Sequence, residues 1–178
     1  RTAPAWHERQ PWGLPPDLQA IPFLLRQQRR WVVWKAVPKQ GQPDKFDKVP
    51  RQAANGAGAS TNTSKHWCGF KQAAQAYLDS NGELSGVGYV LSDAPGLEHH
   101  NVFAIDIDHC DADDPRLAEA LQLGTYVERS PSARGYRVFG KGMLPGPAYS
   151  NHEDGIEFYD HTSPRYVTVT GRPVAGCI

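Results

Sequence analysis

The chain has 178 residues, enough for one domain with a real core, and its apolar content is ordinary, with five tryptophans. No apolar run approaches the ~20 residues that cross a bilayer, residues 21–25 being the nearest, so no membrane partner is expected. Net charge is zero, which gives no overall bias towards nucleic acid, yet residues 1–52 carry ten Lys/Arg against four Asp/Glu and residues 53–178 carry nine against fifteen. That polarity suits a basic surface for a phosphate backbone beside an acidic, metal-binding centre, although a merely solvated basic arm gives the same count.

In chain order, residues 1–29 are expected to form a proline-rich extended arm over 1–18 and a short helix from Ile21 towards Arg30. Residues 30–35, RWVVWK, are β-branched and aromatic and predict a strand. Residues 38–63, rich in Gly, Pro, Lys, Asn and Ser, are expected to be a long polar connection of functional or mobile character. Thr63 or Ser64 is placed to cap a helix whose apolar face is Trp67, Phe70, Ala74, Tyr77 and Leu78, with Gly82 beyond its end. Strands follow at 87–91 and 102–108, then a helix over 115–123 with Pro115 in its first turn, then strands near 125–128, 135–139, 155–159 and 165–170. The predicted class is α/β in the broad sense, or α+β: about six strands in a mixed β-sheet with flanking helices. Residues 30–172 form the main domain and 173–178 the start of a linker. Because the chain opens on Arg1 and stops just after an apparent strand, it is expected to be a piece of a longer polypeptide.

Cys68, Cys110 and Cys177 are widely spaced and odd in number, as free thiols in a reducing cytoplasm would be. A zinc site from His99, His100, His109 and Cys110 is the alternative, but no paired C-x-x-C spacing supports it.

Four segments carry the chemistry. Residues 102–108, VFAIDID, form an apolar strand that ends in Asp106 and Asp108. Spaced i, i+2, these carboxylates project from one face, where their charges are costly unless a cation neutralises them. Phe103, Ile105 and Ile107 would pack beneath. In 130–139, SPSARGYRVF, a turn made by Pro131 and Gly135 leads into a strand, and Arg134 and Arg137 offer planar forks suited to phosphate. A glycine at 135 would also let a ligand approach the backbone. In 155–159, GIEFY, Glu157 and Tyr159 share a face and Glu157 is a third carboxylate. In 163–171, SPRYVTVTG, Arg165 and the threonines could line a nucleotide pocket.

Together these segments resemble the catalytic domain of the archaeo-eukaryotic primase superfamily, in its primase-polymerase branch of phages, plasmids and prophages. That family has a D-x-D strand, an S-P-S-G-x-G-h-H-type turn and strand, an h-E-h-Y strand, and then R-Y-h-T-h-T-G. Trp31 to Trp34, Lys48-Val49-Pro50 and the 67–74 segment also resemble its N-terminal portion, so the likeness spans roughly residues 30–172. The resemblance implies the superfamily's RRM-like catalytic core and a DNA-dependent primase-polymerase that works by two-metal nucleotidyl transfer. By that likeness Asp106, Asp108 and Glu157 are catalytic and hold Mg²⁺ or Mn²⁺. Arg137, Ser132, Arg134, Arg165 and Tyr159 bind the incoming nucleotide, and Lys48, Arg51 and Trp34 meet the DNA; Trp31 and Trp34 could both stack on bases, although core packing is the expected role of at least one. The implied partners are a single-stranded DNA template, nucleoside triphosphates and a helicase domain in the same or a partner polypeptide, all in the cytoplasm.

There are two departures from the pattern. Ala133 stands where a glycine is usual, and Arg137 stands where the family has a histidine; Arg can bind phosphate but cannot titrate near neutrality. His152 and His161 are near in sequence without any sign that they substitute. A metal-dependent nuclease and a non-catalytic DNA-binding replication module remain the alternatives.

Overall fold

The structure is a computed structural model describing residues 10–95, 97, 101–143, 145–151 and 153–174. In chain order the elements are α1 (Phe23–Arg26), β1 (Trp31–Lys39), β2 (Gln42–Arg51), α2 (Phe70–Asp79), β3 (Gly86–Val90), β4 (Val102–Ile107), α3 (Pro115–Gln122), β5 (Tyr126–Arg129), β6 (Tyr136–Lys141), β7 (Tyr149–Asn151), β8 (Ile156–Tyr159) and β9 (Tyr166–Val169). The strands divide into a sheet ordered β2-β1-β3-β9 and a sheet ordered β5-β6-β4-β8-β7, and the pairings within both are antiparallel. The fold is α+β, as expected, but two antiparallel sheets replace the single mixed one. Alternation reveals which face of a strand is buried; it does not reveal which strand lies alongside.

The expected connection over 38–63 is the second departure. Most of its first half is β2, paired with β1 from Val37 opposite Asp47 to Val33 opposite Arg51. This edge strand is largely exposed and so carries no apolar alternation to betray it. The expected helix start also shifts. Thr63 precedes only a 3-10 turn at Ser64–His66, and α2 begins at Phe70 after Gly69, without a side-chain cap. Trp67 is therefore not on the helix. It is extended, buried with Val32 and Val90, and its indole donates to the Ser60 carbonyl at 2.8 Å. At α3 the reading holds: Pro115 stands in the first turn and Asp114 caps it by accepting from the Arg116 amide. The helix expected from Ile21 shrinks to the single turn of α1, and the short β7 carried no signal.

The largest apolar cluster joins the two sheets, drawing Trp31, Val33, Val87, Tyr89, Val167 and Val169 from one and Ala104, Tyr126, Phe139 and Tyr159 from the other. A second cluster packs Phe103, Ile105 and Ile107 with Leu117 and Ala120 of α3. Phe103, Ile105 and Ile107 thus lie beneath, as expected, and Ala104 and Asp106 take the face towards the first sheet.

From residue 10 onwards the expected arm is docked. Gln10 and Gly13 close a tight turn through reciprocal backbone hydrogen bonds, and the Leu14 amide donates to the Pro131 carbonyl at 2.7 Å. The Asp17 amide donates to the Thr170 carbonyl at 2.8 Å, and Arg172 Nε to the Pro15 carbonyl at 2.9 Å. Gly13 has φ +129°, and a Cβ there would lie 1.7 Å from the Pro131 oxygen, so only glycine fits.

Candidate active site

The β-ladders of the second sheet set one row of polar side chains across all five strands. Glu128 of β5 faces Arg137 of β6, which faces Asp106 of β4, which faces Glu157 of β8, which faces Ser150 of β7. Directly opposed residues share a face, so this register alone brings Asp106, Glu157 and Arg137 together. Asp108 follows β4 with its amide held by the Gly155 carbonyl at 2.8 Å. Gly135 closes the other side: a Cβ there would sit 2.2 Å from the Ile107 oxygen. The glycine expected to admit a ligand therefore admits the end of β4 instead.

A cleft of about 260 Å³ lies over the row, lined by Asp106, Asp108, Glu157, Arg137 and Tyr159 with Lys48, Arg165, Tyr166, Val167 and Thr168 of the opposite wall. Within it Arg137, 3% exposed, has both terminal nitrogens engaged. One terminal nitrogen meets Asp106 Oδ2 at 2.9 Å. The other donates to the Thr168 carbonyl at 2.6 Å and to the Thr168 hydroxyl, which ties the two sheets together. The cation that the paired aspartates require is thus supplied in part by the protein. Arg137 is a buried brace before it is a phosphate ligand.

Arg165 is different. It is exposed, its guanidinium lies 4.6 Å from the Tyr159 ring centroid, and it makes no salt bridge among the described residues. Of the arginines expected at the nucleotide, it is the one free to receive a phosphate in this cleft. Ser132 and Arg134 are also exposed, but they line a neighbouring pocket that shares Lys48 and Asp108 with the carboxylate cleft. Lys48 therefore stands where the two spaces meet. Its side chain reaches solvent, yet the dense surround of its ammonium, followed by the Arg137 charge, pushes it down to about 8. The Tyr166 hydroxyl donates to the Lys48 carbonyl, and its ring packs against Gly88, where a Cβ would come within 2.6 Å of it.

The remaining DNA-contact expectations fare less well. Trp34 is 2% exposed and covers Gly86, so its ring is not presented to a template. Trp31 is fully buried against Phe70 and Tyr89. Arg51, three residues beyond Lys48, takes the opposite face of β2, away from the cleft. Cys68 and Cys110 are buried free thiols, while His99, His100, His152 and Cys177 lie outside the described residues. A cleft of about 550 Å³ elsewhere is lined by Leu117, Leu121, Tyr136 and Val174 among others and contains none of the three carboxylates.

The donor chemistry fits a hard divalent ion: carboxylate oxygens only, with Asp106 Oδ1 buried and lacking a hydrogen-bond partner. Burial first, and then the Asp106 charge, raise the Asp108 carboxyl above the ordinary range, as expected where negative groups crowd together. Among the described residues no three acidic, His or Cys side chains are already drawn into one ligand cluster. Asp106 Oδ2 is held by Arg137, and Glu157 Oε1 accepts from Ser150 at 2.6 Å.

No protein-family model matches the chain, and no curated protein does. Among the described residues no helix is long and apolar enough to cross a membrane.

Sequence reasoning missed Glu128. It is fully buried behind Arg137, accepts from the Thr170 and Gly171 amides at 2.8 Å each and from the Tyr126 hydroxyl at 2.9 Å, and burial pushes its carboxyl up to about 7. Only the register opposite Arg137 could have singled it out.

Proposed function

We propose that the protein is a metal-dependent nucleotidyltransferase of the primase-polymerase kind, joining nucleoside triphosphates on a single-stranded DNA template. The observation that carries this reading is the convergence of Asp106, Asp108 and Glu157 on one cleft whose other wall brings Lys48 and Arg165. Carboxylates opposite exposed cations suit a phosphate ester whose charge must be balanced on both sides.

In the reaction a 3′-oxygen bonds to the α-phosphorus while the bond to pyrophosphate breaks. Asp106, Asp108 and Glu157 would hold Mg²⁺ or Mn²⁺, which when bound offsets the phosphate charge and favours the attacking alkoxide. Arg165 receives phosphate oxygens through its planar fork. Lys48 places a positive charge between the two spaces. Arg137 fixes Asp106 and holds the sheets at the spacing the cleft needs. A helicase domain as partner and the cytoplasm as location belong to the same proposal.

One observation favours a second reading. With Arg137 locked on Asp106, the site is partly neutralised without metal, as a non-catalytic DNA-binding module could tolerate. A labelled primer–template incubated with Mg²⁺ or Mn²⁺ separates the readings. Lengthening that requires nucleoside triphosphates supports the transferase, shortening without them indicates a nuclease, and binding with neither indicates the module.

A further inference from the structure

Next to the carboxylate cleft lies a pocket of about 380 Å³, roofed by residues 11–13 and walled by the β1–β2 hairpin and the 132–134 turn. It holds two aromatic side chains that neither the sequence motifs nor the reaction has used, Trp12 and Phe46. They come from segments remote in sequence, and Trp12 is fixed by its neighbour. The turn closed by Gln10 and Gly13 carries it at the tip, and Gly13 is seated on Pro131 where no side chain fits. The Trp12 indole nitrogen is buried and finds no acceptor among the described residues. Lys48 and Asp108 line both spaces, so one ligand can run from the first into the second.

The lining is rich in cations, with Lys45, Lys48 and Arg134, and Lys39 paired with Asp47 at 3.2 Å, against Asp44 and Asp108. An anionic ligand with a flat ring matches both features, and the volume suits one nucleotide rather than a strand.

We propose that this pocket takes the base and sugar of the incoming nucleoside triphosphate, with Trp12 and Phe46 as its aromatic walls and the phosphates extending past Lys48 to the carboxylates. The N-terminal segment then belongs to the nucleotide site and sets how tightly the base is held. The inference rests on the transferase reading and adds to it two aromatic walls, Trp12 and Phe46, that the motif segments do not contain.

The test is calorimetric titration of dATP with Mg²⁺, with oligo-dT titrated in parallel, into the parent protein and the variants Trp12→Ala, Trp12→Phe and Phe46→Ala. Loss of one base–aromatic contact is expected to weaken dATP by about 10-fold in Trp12→Ala, while Trp12→Phe stays within about twofold and oligo-dT binding does not move. Phe46→Ala, on an edge strand, carries the same expectation should Trp12→Ala fail to fold. Unchanged dATP affinity in both alanine variants overturns the pocket alone. So does oligo-dT affinity that falls in step with dATP, which would make the pocket a strand site. A parent protein that binds no dATP overturns the pocket and the transferase reading together.

Discussion

Asp106 and Asp108 are two residues apart and have unequal structural duties. Asp106 neutralises Arg137, whose side chain is 4% exposed, whereas Asp108 reaches solvent. Removing one partner of a buried ion pair leaves the other charge stranded. Asp106→Ala is therefore expected to cost about 3–5 kcal/mol by urea denaturation, and Asp108→Ala no more than about 0.5 kcal/mol. The sequence pattern treats the two as equals, because alternation gives their common face and not the arginine beside one of them. Ala133 is a second case. Its φ of +61° is left-handed, a conformation that favours glycine over alanine. Ala133→Gly is expected to stabilise the fold by about 0.5–1 kcal/mol, read as a higher denaturation midpoint. Glu128 brings a pH dependence. Its carboxyl is raised from 4.5 to about 7, so the folded state holds a proton that the unfolded chain has released between those values. Its contribution is fully present below pH 4.5 and lost as pH rises through about 7. Denaturation midpoints across that range should show the parent losing stability relative to Glu128→Gln as pH rises; a gap that stays constant would refute the assignment.

At the scale of elements, legibility followed hydrophobic contrast. β4 and β6 could be read as short, largely buried apolar runs, β8 and β9 because Glu157 and Thr168 stand among apolar residues, and α3 because Pro115 marks its first turn. β2 could not be read, since Gln42, Asp44, Lys45 and Asp47 face water and only the ladder to β1 makes them a strand. Trp34 was misread for a related reason: its place over Gly86 depends on the pairing of β1 with β3. The turn at residues 10–13 lacked any periodic signal, yet it supports the 130–135 turn. Gly13→Ala is expected to cost on the order of 3 kcal/mol and to expose residues 10–17 to limited proteolysis. Unchanged melting and protease resistance would mean that this segment is not held by its seat on Pro131.

For the whole molecule, the site exists because two sheets meet. The carboxylates come from one, Lys48 stands on β2 of the other and Arg165 just before its β9, and Arg137 with Thr168 pins the junction. Motif residues in the sequence named members of both walls, Asp106, Asp108 and Glu157 on one and Lys48 and Arg165 on the other. That the two walls belong to separate sheets is a property of topology. The most direct measurement is incorporation of labelled nucleotide on unprimed single-stranded DNA with Mn²⁺, comparing the parent with Asp108→Ala, the variant expected to leave the fold intact. Template-dependent products from the parent and at least about 100-fold less from the variant are the result this account requires. Equal synthesis by both proteins, or none by a folded, DNA-binding parent even with a primer supplied, would contradict it.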